Sequence, residues 1–139
     1  MLYQRRKFDV RCFLLIASIN GHLRAYWYPE GYLRTSSKLF DLHNTDDLFA
    51  HLTNDCLQKK CEDYGSFEEA NKLTFKQMEA YLNAADPSNS SGQWSREIVP
   101  HMIKISRHLV RSVANKLNPK SRSWCFELVG LDFMVDSTG

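Results

Sequence analysis

The residues best placed to do chemistry stand at the head of one apolar run, Lys7-Phe8-Asp9-Val10-Arg11, which continues as Cys12-Phe13-Leu14-Leu15-Ile16. A strand turns successive side chains to opposite faces. Lys7, Asp9 and Arg11 therefore share one face, and Phe8, Val10 and Cys12 share the other. Three charges at the mouth of a buried strand are costly to desolvate unless they pair or meet a charged ligand. One reading is a Lys-Asp-Arg ion row at a frayed strand end; the other is a binding site. Three downstream features favour a site: Arg34-Thr35-Ser36-Ser37, His51-Leu52-Thr53-Asn54, and Asp132, a carboxylate inside a strand apolar on both faces. A lone buried carboxylate normally has a raised pKa, a cationic partner or a metal.

These residues need elements to hold them. Alternation predicts a first strand from Lys7 to about Ser18, and Asn20-Gly21 is a strong hairpin signal because both positions tolerate positive φ. A return strand follows over His22–Tyr28, with Leu23, Ala25 and Trp27 on one face. After the turn at Pro29-Glu30-Gly31, a short third strand covers Tyr32–Thr35, so an antiparallel meander opens the chain. Residues 38–50 read as loop, residues 51–58 as a short strand or loop, and residues 59–66 as charged and exposed. Thr74 with Gln77 has capping-box spacing and predicts a helix to Ala84 with Phe75, Met78, Tyr81 and Leu82 on one face. Asp86–Gly92 reads as a loop. The longest helix spans about Ser95–Asn118, with Ile98, Met102, Ile105, Leu109 and Val113 in one stripe and Pro100 bending its start. The last strand runs from Trp124 to Asp136, with Phe126, Leu128, Gly130, Asp132 and Met134 on one face and Val129, Leu131, Phe133 and Val135 on the other. Ser137-Thr138-Gly139 reads as the start of a hairpin turn. The fold class is α/β in the broad sense (α+β): a mainly antiparallel sheet with packed helices.

At 139 residues and 43% apolar, the chain is the size of one globular domain able to bury a core. No apolar run is long enough to span a bilayer, and the basic N-terminus lacks the pattern of a signal peptide. Cys12, Cys56, Cys61 and Cys125 form no C-x-x-C pair. They read as reduced thiols, with Cys12 and Cys125 as core residues of strands. The net charge of +2 conceals a division. Residues 1–38 carry seven Lys/Arg against two acids and residues 94–124 seven against one, while 39–93 carry four against ten. Basic blocks around an acidic one suit an anionic ligand or an acidic partner. No nucleic-acid motif accompanies the charge, so no nucleic-acid partner and no membrane partner is expected.

Lys7–Arg11, Tyr28-Pro29-Glu30-Gly31-Tyr32-Leu33-Arg34-Thr35-Ser36-Ser37, His51-Leu52-Thr53-Asn54 and Phe126–Asp136 together resemble successive blocks of the tubulin tyrosine ligase family. They follow the family's order and spacing over nearly the whole chain. The resemblance implies an ATP-grasp fold, ATP and Mg²⁺ as cofactors, and ligation of a free amino acid to tubulin through an acyl phosphate. It further implies a cytoplasmic, cytoskeletal setting, cilia and flagella included, where acidic tubulin tails would meet the basic blocks. By residue, it places Lys7 near the nucleotide base and Asp9 as an orienting group. Arg11 and Arg34 become the catalytic cations on the γ-phosphate and acyl phosphate, where a planar fork suits the oxygens better than Lys. His51, Thr53 and Asn54 line the nucleotide pocket, and Asp132 becomes a Mg²⁺ ligand.

The same resemblance marks residues 1–139 as a partial ATP-grasp domain. The family's N-terminal lobe with its phosphate-gripping lysines, and a following Glu-x-Asn strand with further metal ligands, have no match here. The stretch alone is expected to bind Mg-ATP poorly and not to catalyse. The Leu33–Ser37 block resembles the tyrosine-adding enzyme, which makes tyrosine the expected amino acid. Trp94-Ser95 through Val99-Pro100 resembles the glycylating branch, and a glycylase or glutamylase relative is the alternative. Against an enzyme, the runner-up reading is a non-catalytic tubulin- or microtubule-binding module, and the third is an unrelated α/β domain with chance matches.

Overall fold

One long strand organises the molecule. In the computed structural model, which describes residues 1–85 and 92–136, β1 (Arg6–Ile19) pairs directly with three of the other four strands. Of the loop expected at 86–92, residues 86–91 lie outside the described residues, as does the turn expected at 137–139. β2 (His22–Trp27) returns antiparallel through Asn20-Gly21, whose φ values of 52° and 78° are those of the expected tight turn. β3 (Tyr32–Leu39) pairs antiparallel with the first half of β1, from Arg11↔Tyr32 to Arg6↔Leu39. β4 (Lys72–Thr74) extends the sheet beyond β3, and β5 (Cys125–Phe133) takes the opposite edge of β1, from Val10↔Phe133 to Ser18↔Cys125.

The opening is therefore not a meander. β2 and β3 lie end to end against β1 instead of side by side. Five steps of chain, from Trp27 to Tyr32, face only three steps of β1, from Leu14 to Arg11. Pro29 cannot donate to a ladder, so the surplus loops out there. Gly31 closes the break where no side chain fits: a Cβ would lie 2.6 Å from the Arg11 carbonyl oxygen and 2.6 Å from Cζ of Phe75.

The two faces of the sheet differ sharply. Phe8, Val10 and Cys12 of β1 join Leu33, Leu73, Met78, Trp94, Ile98 and Met102 in one buried cluster. Two helices cover it. α3 comes third in the chain and spans Phe75–Ala85; its start carries the expected capping box, with Thr74 N donating to Gln77 Oε1 (2.8 Å) and Gln77 N donating to Thr74 Oγ1 (3.2 Å). α4 spans Val99–Leu117 and is preceded by a wider π turn over Trp94–Ile98. The wide turn sits where Pro100 removes an N–H and crowds the carbonyl four residues back. The apolar stripe is covered most fully at the near end: Ile98 and Met102 are buried, while Ile105 and Leu109 are each 46% exposed.

Several local expectations are corrected. β3 continues to Leu39 because its polar residues are satisfied inside. Ser37 N donates to Gln58 Oε1 (2.8 Å), and Asn71 Nδ2 donates to Thr35 O (3.1 Å) and Ser37 Oγ (2.8 Å). Residues 38–58 hold two short helices, α1 (Leu48–His51) and α2 (Asp55–Gln58), rather than loop and strand. Asp47 caps the first through Phe49 N and Asn54 the second through Cys56 N, which are the local side-chain bonds that make Asp and Asn good helix starts. Cys61 is buried within the stretch read as exposed, and Cys125 is exposed because it lies on an outer strand.

Candidate functional site

The other face of β1 carries Lys7, Asp9 and Arg11, as alternation required: Lys7 stands near the start of the strand, and Asp9 and Arg11 lie further in, paired to neighbouring strands. Register supplies their neighbours. Asp9 faces Arg34 across to β3, and Arg11 faces Asp132 across to β5. Directly opposed strand residues stand close enough for their side chains to meet. The result is a chain of alternating charge across three strands. Asp9 binds Arg34 through Nε at 3.1 Å to both carboxylate oxygens and through Nη2. Nη2 of Arg34 also lies 3.0 Å from Oδ1 of Asp132. Arg11 grips Asp132 side-on, Nε to Oδ1 at 2.5 Å and Nη2 to Oδ2 at 3.0 Å.

Gly130 makes room for that grip. It faces Phe13 in register, and its missing Cβ would lie 3.4 Å from Cδ of Arg11. Arg11 can thus lie flat over β5.

Exposure and charge set the chemistry. The Asp9 and Arg34 side chains are largely buried, at 8% and 13% exposure, whereas Asp132 is 50% exposed. The expectation of a buried carboxylate at Asp132 is therefore corrected: the face around it is open, so apolar residues on both sides of β5 did not mean burial. Arg11, then Arg34, hold its carboxyl below the usual range, opposed by partial desolvation. The same bonds raise both guanidiniums, and Asp9 has the largest effect on Arg34. Arg11, Arg34 and Asp132 are therefore charged at neutral pH. Nη1 of Arg11 and of Arg34 donates to no group among the described residues.

Other expected site residues are placed differently. Lys7 lies on the same face, half-buried, with its backbone N donating to Ser36 Oγ (3.1 Å). Among the described residues its ammonium forms no ion pair. His51 Nε2 lies 2.8 Å from the Asn44 carbonyl oxygen, and its ring meets Phe40 edge-on. Asn54 caps α2, and Thr53 lies half-buried between them. Neither His51 nor Asn54 bonds to the four-charge cluster.

Two features were not read from the sequence. Lys72 faces Arg34 from β4, with its ammonium 5.7 Å from the Tyr32 ring centre. The alternation of Lys72-Leu73-Thr74 beside a helix cap was the available signal. Arg6, on the core face, is buried against Glu68 and Thr35, with Nη1 donating to Glu68 Oε2 at 2.9 Å. Nothing local links residues so far apart, so no sequence signal could have found the pair.

This donor set suits a phosphoryl group. Two guanidiniums, each with an Nη1 that donates to no group among the described residues, lie beside one accessible carboxylate. Among the described residues no three His, Cys, Asp or Glu side chains come together as a metal cage. A Mg²⁺ ion would take Asp132 as one ligand and oxygens of a bound phosphate as others, a common arrangement for that ion. Next to the cluster, on the same face, Phe13, Leu15, Tyr26, Tyr28 and Leu128 line an apolar groove of about 450 Å³. Elsewhere, α4 contains no acidic residue, and its exposed Lys104, Arg107, Arg111 and Lys116 form no ion pair among the described residues.

Comparison with known proteins supplies an independent line. Residues 1–138 match the family described as "Tubulin-tyrosine ligase family". Similar proteins include a tubulin glycylase of Tetrahymena thermophila, 28% identical over 94% of this chain. A protein polyglycylase of Macaca fascicularis is 31% identical over 98% of it. A tubulin polyglutamylase of Homo sapiens is 34% identical over 95%. The matched regions are 14%, 22% and 11% of those relatives' own lengths, so the chain spans less than a quarter of each.

Proposed function

Because the chain belongs to the tubulin-tyrosine ligase family, whose fold is ATP-grasp-like, we propose that its open sheet face is part of the active cleft of an ATP-dependent ligase. The ligase joins a free amino acid to a carboxylate of an acidic protein, with tubulin as the acceptor. The observation that carries this reading is the alternating row Asp9, Arg34, Asp132 and Arg11 across three strands, on the side of the sheet that α3 and α4 leave open. ATP with Mg²⁺, when bound, supplies the phosphoryl group that activates the acceptor carboxylate. Arg11 and Arg34 hold the transferring oxygens, a geometry their planar forks suit. Asp9 fixes the angle of Arg34, and Asp132 offers its exposed carboxylate to the metal. Lys7 contributes positive charge on the nucleotide side. His51, Thr53 and Asn54 shape the turn between α1 and α2 in the structure; contact with a nucleotide would exchange the bonds His51 and Asn54 now make.

For the amino acid, the relatives favour the alternative over tyrosine. Two of the three relatives named above are glycylases and the third is a polyglutamylase. We take glycine first, in line with the Trp94–Pro100 segment, and glutamate second, on the 34% identity to the polyglutamylase. The cations of α4, unpaired among the described residues, suit an acidic tail, and a cytoskeletal location follows from that partner.

The test is transfer of labelled glycine, glutamate and tyrosine to unmodified tubulin by the protein as the cell makes it, read by mass spectrometry. Glycine or glutamate transfer is expected, abolished by Arg34→Ala. Transfer of neither, or undiminished transfer by the folded variant, overturns the proposal.

A further inference from the structure

Arg6 and Glu68 form a buried ion pair on the core side of the sheet that the reaction outlined above does not use. Their side chains are 1% and 8% exposed, and the Arg6 guanidinium also lies 4.4 Å from the centre of the Phe67 ring. Stability alone does not account for such a pair, because apolar side chains of similar volume often serve a core as well or better. What the pair holds is β3. Arg6 Nη1 donates to the Ser36 carbonyl oxygen (3.2 Å), and Thr35 Oγ1 donates to Glu68 Oε2 (2.8 Å). Three residues beyond Glu68, Asn71 donates to Thr35 O and Ser37 Oγ while accepting from Gly65 N (2.8 Å). Segment 65–71 is thus a strap, tied to the core side of β3 at Thr35 and Ser37.

The tied residues form a bulge. Between the pairs Phe8↔Thr35 and Arg6↔Leu39, β1 advances two residues and β3 four. A bulge bends its strand, sharpens the local twist and re-aims the side chains beside it. Those side chains are Arg34, one residue before Thr35, and Lys7, whose backbone N donates to Ser36 Oγ (3.1 Å). The strap carries strain as well. Ala70 and Asn71 both take left-handed φ, 52° and 53°, which residues other than glycine keep only where their surroundings enforce it. Asp9 fixes the Arg34 guanidinium on the open side of the sheet, and the strap fixes the backbone next to Arg34 from the covered side.

We infer that Glu68 is a positioning residue for the reaction: with Arg6 and Asn71 it holds the β3 bulge, and through Thr35 it sets where Arg34 presents its guanidinium in the cleft. The inference rests on the ligase reading above and extends it to the opposite face of the sheet.

The test is the paired replacement Arg6→Met with Glu68→Leu in the protein as the cell makes it, which removes both charges together and leaves no buried ion unpaired. Parent and variant are compared by urea denaturation, by hydrogen–deuterium exchange of peptides covering residues 32–39, and by steady-state transfer of glycine and glutamate to tubulin. The urea midpoint should hold, and exchange in 32–39 should quicken while β5 keeps its rate. The kcat should fall by about tenfold to a hundredfold with KM unchanged, the mark of a contact made only in the transition state. A pair that served packing alone would leave the kcat of the folded variant at the parent's value. That result, or a loss confined to KM, overturns the positioning role and leaves the ligase reading standing. If the parent itself transfers neither amino acid, the ligase reading falls and exchange decides whether the strap holds β3: faster exchange in 32–39 supports it, and an unchanged rate overturns it. Should the paired variant fail to fold, Thr35→Val and Thr35→Ser decide instead. A kcat lost with Val and kept with Ser supports the role, and equal kcat for the two overturns it.

Discussion

Cys12 lies on the core side of β1, and burial, with a smaller contribution from Asp132, pushes its thiol up to about 12. The thiolate is the reactive form, so Cys12 should be inert at neutral pH. Cys61 is also buried, while Cys56 and Cys125 are exposed. Iodoacetamide labelling of the folded protein should modify Cys56 and Cys125 and reach Cys12 and Cys61 only in denaturant; early labelling of Cys12 would contradict the packing. Asp132 gives a second residue-scale prediction. Its carboxyl is held below the ordinary value of about 3.9, so its pairing contributes fully above about pH 4 and is lost as pH falls through the lower folded value. Asp55 is lowered too, chiefly by Lys59, and adds to the same trend. Half-exposure of Asp132 keeps its share small. Urea midpoints at pH 5 and pH 3 should converge for the parent and Asp132→Asn as acid removes the difference; a gap that widens in acid would refute the assignment. Residue roles were partly legible beforehand. Alternation alone put Lys7, Asp9 and Arg11 together, but it cannot say whether a face is covered, which is why Asp132 was expected to be buried.

At the scale of elements, periodicity located both long helices and the capping box, and it missed what depends on neighbours. The stripe Ile98, Met102, Ile105, Leu109 and Val113 is real as a pattern, yet its members are unevenly covered: Ile98 and Met102 are buried, while Ile105 and Leu109 are half exposed. Met102→Ala should therefore cost about 2–5 kcal/mol, as loss of a buried side chain does. Leu109→Ala, half in water already, should cost less than about 1 kcal/mol. Comparable losses at the two positions by urea denaturation would mean that α4 packs along its whole length. The break between β2 and β3 was visible as Pro29-Glu30-Gly31, but its consequence was not. A turn can fold a strand back beside its predecessor or realign it on a third strand. Only long-range pairing with β1 decides between them. Gly31→Ala probes that choice, because the added methyl meets the Arg11 backbone and Phe75 at once. It should destabilise by about 1–3 kcal/mol through overpacking, and it should weaken nucleotide binding by shifting Arg11. A variant as stable as the parent would show that the two segments can part.

For the molecule as a whole, the sheet is covered on one side and open on the other, and the open side is not uniformly polar. Beyond the charged row lie Leu15 at 38% exposure, Tyr26 at 47%, Leu128 at 62% and Phe126 at 75%. An apolar area of this kind marks a surface that meets something, and it is also an aggregation hazard where it meets nothing. The outer edge of β5 compounds the hazard, since β1 alone pairs with it among the described residues. A polypeptide of residues 1–139 alone should therefore self-associate. Phe126→Lys with Leu128→Lys places two charges in the middle of that face without touching the core side of β5, and it should return the polypeptide to monomer. Sedimentation velocity measures this directly, with circular dichroism confirming an unchanged fold. If the unaltered polypeptide is already monomeric and binds no apolar dye, the face is better hydrated than its side chains imply. The apolar groove would then be a wet wall of the cleft. If the paired lysines restore a monomer, the groove and the charged row form one continuous surface whose apolar half needs a covering element, and the ligand of the charged half would lie between the two.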